Sequence, residues 1–97
     1  MLILIVYDIF TGDSQGKRRL SKMLTLCKNY GVRVQDSVFE CEINCDLYEK
    51  LKIDVENLIE LNQDSVIFYR ISHDWRRHVE RLGIPKSQDL HRDVFII

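Results

Sequence analysis

The hydrophobic positions fall into short runs that are apolar on both faces, separated by longer stretches with a helical stripe. The first run, Leu2-Ile3-Leu4-Ile5-Val6-Tyr7, closes on Asp8 and a polar loop. Its length and β-branched content predict a buried strand. Side chains alternate across a strand, so Leu2, Leu4, Val6 and Asp8 share one face, and Ile3, Ile5 and Tyr7 the other. Asp8 thus extends an apolar row at the strand's carboxyl end, where a carboxylate calls for a positive or polar partner.

Two glycines and several capping residues over 9–16 predict a loop. A helix follows, from 14 or 17 to 30. Leu20, Met23, Leu24 and Cys27 form its inward stripe, and Gly31 is expected to end it in a left-handed conformation. The stretch 32–43 reads as strand. Its apolar side switches near Val38-Phe39, which implies a bulge there or burial on both faces. Asn44 or Asp46 caps a second helix with Leu47, Leu51, Val55, Leu58 and Ile59 inward. After a turn at 62–64, residues 65–71 form another strand apolar on both sides. The remainder, 72–93, is polar, with a short helix expected over 75–82 before Gly83 and Pro85. Residues 94–97 read as a terminal strand.

This order fits one α+β domain over 1–97, a split βαβ arrangement with two helices on one face of an antiparallel sheet. A hairpin within 32–43 completes β-α-β-β-α-β. Two helices cover one face only, yet the strands are apolar on both. A soluble monomer avoids such a free apolar face, so a two-fold homodimer is expected to bury it. The strand at 94–97 is expected to complete the partner's sheet.

Composition is that of an ordinary globular chain, 45% hydrophobic and 30% charged. The apolar start is too short for a membrane span and lacks a basic leader and a cleavage site. The expectation is a cytoplasmic protein without membrane partners. Cys27, Cys41 and Cys45 show no disulfide-like spacing and read as reduced thiols. Net charge is −1, but its distribution is uneven. Between 17 and 33 the charged residues are Lys17, Arg18, Arg19, Lys22, Lys28 and Arg33, all basic, whereas 36–64 carries nine acids against Lys50 and Lys52. Such segregation makes one surface basic while the total stays near zero. His73, His78 and His91 form a general acid or base candidate set. Trp75-Arg76-Arg77 reads either as a nucleic-acid or partner contact or as the edge of the core.

Several of these segments resemble one family. Tyr7-Asp8-Ile9 closes an apolar strand, and an Arg-rich helix start follows. Then come Gly31-Val32-Arg33-Val34-Gln35-Asp36-Ser37-Val38-Phe39-Glu40, Asp64-Ser65-Val66 and Ile67-Phe68-Tyr69. In order and spacing the chain resembles CRISPR-associated protein 2 along essentially its whole length. The resemblance implies a ferredoxin-like fold and a homodimer with its first-strand aspartates near the axis. It implies a role in CRISPR adaptation, bridging the CRISPR integrase (CRISPR-associated protein 1) and holding spacer DNA. It also implies metal-dependent endonuclease activity on single-stranded RNA or double-stranded DNA. Asp8 then matches the metal-associated catalytic aspartate, and Tyr7 the aromatic before it. Lys17 and Arg19 match the basic residues that open the first helix, Arg33 and Phe39 the second-strand pair, and Ser37 a motif position. The segment 72–92 is variable in the family.

On the residues alone, Asp8 has structural readings as well, capping the loop after the strand or pairing with Arg19. On the resemblance, two Asp8 side chains across a dimer axis hold one Mg2+ that activates water against a phosphodiester. Lys17, Arg18, Arg19, Lys22 and Arg33 are the candidates for contact with a DNA or RNA backbone, which cations bind without reading sequence. Phe39 is a candidate core residue or base-stacker. Two further functions fit the same residues: a purely structural adaptor without chemistry, and a toxin-like ribonuclease of related fold.

Overall fold

The computed structural model describes residues 1–71 and 79–84. Its centre is β1 (Leu2–Asp8), followed by α1 (Ser14–Lys28), β2 (Val32–Gln35), β3 (Val38–Glu42), α2 (Cys45–Leu58), β4 (Ser65–Ile71) and β5 (Val79–Gly83). The sheet order is β2-β3-β1-β4-β5, and all four pairings are antiparallel. The first four strands and two helices are the ferredoxin-like α+β arrangement, two interleaved βαβ units.

Local chemistry explains the boundaries. Asp13 caps α1 by accepting from the Gly16 amide at 2.7 Å, and Asn44 caps α2 by accepting from the Leu47 amide at 2.9 Å. The apolar stretch 32–43 folds into a hairpin at Asp36-Ser37. Its register shifts between Arg33 and Gln35, so the irregularity expected at Val38-Phe39 lies in β2. Gly31 does not take the left-handed conformation expected of it, since the positive-φ glycine among the described residues is Gly83. Gly31 serves close approach instead: a Cβ there would run into the Glu40 carbonyl and the Cys41 sulfur.

The core lies between the sheet and the helices. Ile3, Ile5, Phe39, Cys41, Val66 and Phe68 meet Met23, Cys27, Leu51 and Val55, all of them fully buried. On α2 the inward stripe is Tyr48, Leu51 and Val55, whereas Leu47, expected inside, is exposed. Positions 48, 51 and 55 follow the i, i+3, i+7 line, and 47 falls a helical step off it. On the other face of the sheet Leu2, Leu4, Val6, Ile67 and Tyr69 are half-buried. Leu4 lies opposite both Glu40 and Tyr69.

The helix expected over 75–82 is not what its described part forms. Val79–Gly83 is β5, paired with β4 from Tyr69↔Val79 to Ser65↔Gly83. The pairing satisfies the backbone groups of β4's second edge. Glu80 then reaches α2, accepting from the Tyr48 hydroxyl at 2.8 Å and the Lys52 ammonium at 3.0 Å. At Gly83 (φ 98°) the chain turns tightly over the Asp64 carbonyl. The expected strand at 94–97, His73, His78, His91 and Trp75-Arg76-Arg77 lie outside the described residues.

Candidate functional site

Asp8 ends β1 opposite Ser65. It is exposed on the face the helices leave uncovered, in line with Leu2, Leu4 and Val6. Among the described residues its carboxylate makes no hydrogen bond or ion pair, and Arg19, one of its sequence-level partners, is engaged elsewhere.

That other partner is Asp64, a fully buried carboxylate just before β4. It accepts from Arg19 Nε at 2.8 Å and Nη2 at 3.3 Å, from the Phe10 amide at 2.9 Å and from the Glu60 amide at 2.8 Å. Arg19 Nη2 also donates to Gln63 Oε1 at 3.1 Å, and the Asp64 carbonyl accepts from the Ile84 amide at 3.0 Å. One residue thus fastens the loop after β1, the start of α1, the end of α2 and the end of β5. Burial alone would push the Asp64 carboxyl up. The Arg19 guanidinium and the two amides outweigh it and hold the group below the usual carboxylate range. No buried polar side-chain atom among the described residues is left unpaired.

A second brace sets the other side of Asp8. Tyr7 is buried, and its amide donates to the Ser37 carbonyl at 3.1 Å while its hydroxyl donates to the Asp36 carbonyl at 3.2 Å. The same Asp36 carbonyl accepts from Arg33 Nε and Nη2 at 3.2 and 2.9 Å. Tyr7 stacks on Phe39 with ring centroids 6.3 Å apart. Phe39 is therefore a core residue at 0% exposure, which removes it as a base-stacker. Burial pushes the Tyr7 hydroxyl up, so it stays a neutral donor near neutrality.

The basic candidates divide. Lys17 and Arg18 are exposed in the first turns of α1, which contain no acid in the first turn. Arg18 and Arg19, with Gln15, Lys22, Asn57 and Leu58, line an open cleft of about 300 Å³ between α1 and α2. Arg19 stands in that cleft already bound to Asp64, and Arg33 is turned onto the hairpin. The structure thus brings Tyr7, Asp8, Arg33, Ser37 and Phe39 together at one end of the sheet. Lys17 and Arg18 stand at the start of α1, beyond the loop that follows Asp8.

The sequence pattern does not single out Asp64 as a site residue, although a signal for it exists. It has the parity of Val66 and Phe68, which face the helices. Arg19 lies three residues after Gly16 and four before Met23, both buried, so it sits on the inward stripe of α1.

Among the described residues no three His, Cys, Asp or Glu side chains gather as a metal centre. A hydrated magnesium needs only one or two carboxylates. The exposed Asp8 carboxylate, unpaired among the described residues, is a donor of the type such an ion takes. No helix among the described residues is long and apolar enough to cross a membrane.

Comparison with known proteins bears on the family and the fold. A family model for CRISPR associated protein Cas2 matches residues 1–79. A protein of Halalkalibacterium halodurans named CRISPR-associated endonuclease Cas2 is 41% identical over 90 residues, which are 93% of this chain and 94% of that protein. One of Chlorobaculum tepidum named CRISPR-associated endoribonuclease Cas2 is 39% identical over 96 residues, 99% of this chain and 100% of that protein. The crystal structure of Streptococcus pyogenes Cas2 at pH 6.5 superposes with a TM-score of 0.70 at 38% identity. That match covers 86% of this chain and 100% of the other.

Proposed function

The chain belongs to the CRISPR associated protein Cas2 family, and on that premise we propose that it is a nucleic-acid-binding phosphodiester hydrolase of CRISPR adaptation that works as a homodimer. The observation that carries the proposal is Asp8: an exposed carboxylate without a partner among the described residues, at the end of an otherwise apolar strand row. Nothing in folding one chain requires a charge there. Two copies packed through the uncovered sheet face would bring two such carboxylates to one site. The apolar pairs Leu4–Tyr69 and Val6–Ile67 supply the surface for that packing. The two Asp8 side chains would hold a Mg2+ ion, which would supply a Lewis acid and an activated water. Lys17 and Arg18 hold the phosphate backbone, and Tyr7, Ser37 and Arg33 fix the strand end that carries Asp8. The homodimer in turn bridges the CRISPR integrase, CRISPR-associated protein 1. The site lies in the cytoplasm, where its nucleic acid is.

A second reading, an adaptor that holds DNA without cleaving it, draws support from the single carboxylate each chain offers. One experiment separates them. Purified protein is incubated with single-stranded RNA and with duplex DNA, with and without magnesium, beside Asp8→Ala. The hydrolase reading expects magnesium-dependent cleavage that Asp8→Ala abolishes, with thermal stability unchanged, because an exposed substitution away from contacts costs within about 0.5 kcal/mol. Undiminished cleavage by Asp8→Ala would remove Asp8 from the chemistry. Intact nucleic acid together with retained binding would establish the adaptor.

A further inference from the structure

The loop between Asp8 and α1 presents an aromatic side chain to solvent. Phe10 is 40% exposed, whereas Phe39 and Phe68 are at 0% and Tyr7 and Tyr48 are buried. Among the described residues it is the most exposed aromatic. Asp8 and Phe10 are exposed on either side of buried Ile9, so both project away from the core. One residue separates them, so their Cα atoms lie at most about 7 Å apart.

Phe10 is also held in place. Its amide donates to the buried Asp64 carboxylate at 2.9 Å. Its carbonyl packs against Gly16, where any Cβ would collide with it. The far edge of its ring rests on Gly12. An apolar ring in contact with water loses free energy relative to burial, and fixing the loop beneath it adds conformational cost. The ring's neighbours are a carboxylate without a partner among the described residues on one side and, past the loop, the exposed cations Lys17 and Arg18 on the other. A rigid aromatic beside cations is how proteins hold unpaired bases: the cations track phosphates and the ring stacks on a base face, whatever the base.

We propose that Phe10 is a base-stacking platform that gives this site a preference for an unpaired nucleotide over a paired one. The inference rests on the nucleic-acid reading above. In a duplex both faces of each base are already stacked, so the ring has nothing to add there.

The test is binding of a short unstructured oligonucleotide carrying 2-aminopurine, and of the same sequence as a duplex, to wild type, Phe10→Ala, Phe10→Leu and Phe10→Trp. Stacking on a single base predicts that Phe10→Ala weakens single-strand binding on the order of tenfold. Phe10→Leu, of similar apolar bulk without a ring face, loses as much, and Phe10→Trp retains affinity. Duplex binding changes less than about twofold, and 2-aminopurine fluorescence is quenched by wild type and Phe10→Trp alone. Circular dichroism and size-exclusion chromatography accompany each variant. Phe10→Leu binding like wild type would overturn the proposal, because the ring would then be apolar surface only. Equal losses on single strand and duplex would overturn it too. So would a change of oligomeric mass in Phe10→Ala, which would make the ring a protein contact. Wild type that binds neither oligonucleotide would overturn the nucleic-acid reading and this inference with it. Wild-type binding that the Phe10 variants leave unchanged would overturn this inference alone.

Discussion

Replacing Asp64 by Ala should destabilise the fold more than any surface charge change, and the hydrogen bonds set the size of the effect. The substitution strands the Phe10 and Glu60 amides and leaves Arg19 with Gln63 as its remaining side-chain partner among the described residues. An unsatisfied buried donor costs about 1–3 kcal/mol, and breaking a buried ion pair from one side costs about 3–5 kcal/mol. Arg19 is 15% exposed and can turn part of its guanidinium to water, so the lower end applies, about 3 kcal/mol. Asp64→Asn keeps one acceptor oxygen but turns an NH2 toward a donor, at a cost of about 2 kcal/mol.

The assay is urea unfolding at neutral pH and fixed protomer concentration, because self-association would add to apparent stability. The midpoint should fall while the slope stays constant. Removing Arg19 as well should cost much less than the sum of the single changes, since both act through one contact. The pH dependence has a definite sign. The folded Asp64 carboxyl titrates below its unfolded value, so its stabilisation is complete above about pH 4 and is lost as pH falls through the folded value. The gap between wild type and Asp64→Asn should therefore narrow under acid. A loss below about 1 kcal/mol for Asp64→Ala, or a gap to Asp64→Asn that ignores pH, would refute the clasp.

Two further predictions concern the other brace and the thiols. Tyr7→Phe removes one hydroxyl donor from an Asp36 carbonyl that keeps two Arg33 bonds, so the expected loss is about 0.5–1 kcal/mol, read by the same urea titration; a loss several times larger would mean the hydroxyl does more than tether the hairpin. Burial pushes the Cys27 thiol up to about 12 and the Cys41 thiol up to about 11, while Cys45 is exposed. Iodoacetamide near pH 8 should therefore label Cys45 on the folded protein and reach the other two only on unfolding, as intact mass will report.

Much of the fold was readable because periodicity survives folding. The run 2–7, the stripe Met23–Cys27 and the alternation through Phe39 and Cys41 each specify an inward face, and the structure uses those faces. The errors fall where tertiary partners decide. The segment 75–82 reads as a short helix ahead of Gly83 and Pro85, yet the open edge of β4 and the α2 groups Tyr48 and Lys52 draw its described part into the sheet. Gly31 reads as a left-handed cap, and its actual constraint is a strand passing too close for a Cβ, which no local pattern encodes. Leu47 and Tyr48 are adjacent apolar residues, and only the direction of the helix axis over the sheet determines which one enters the core.

The opposite fates of two carboxylates at the same end of the sheet follow from strand parity. Asp8 shares the parity of Leu4 and Val6, which face away from the helices, and Asp64 shares that of Val66 and Phe68, which face them. Beneath the helices a lone charge would be prohibitive, so Asp64 is tolerated only because Arg19 occupies the inward stripe of α1 at the matching height. Once that pair forms, two loose ends of chain close on it through the Phe10 and Glu60 amides, and the loop leaving Asp8 loses its freedom. Arg19, a candidate for phosphate contact by its place in a basic run, is drawn into the interior by the same logic, while Arg18 beside it stays in solvent. The buried pair therefore does for Asp8 what Asp8 cannot do for itself. It fixes the strand end that carries Asp8, a carboxylate that makes no hydrogen bond or ion pair among the described residues.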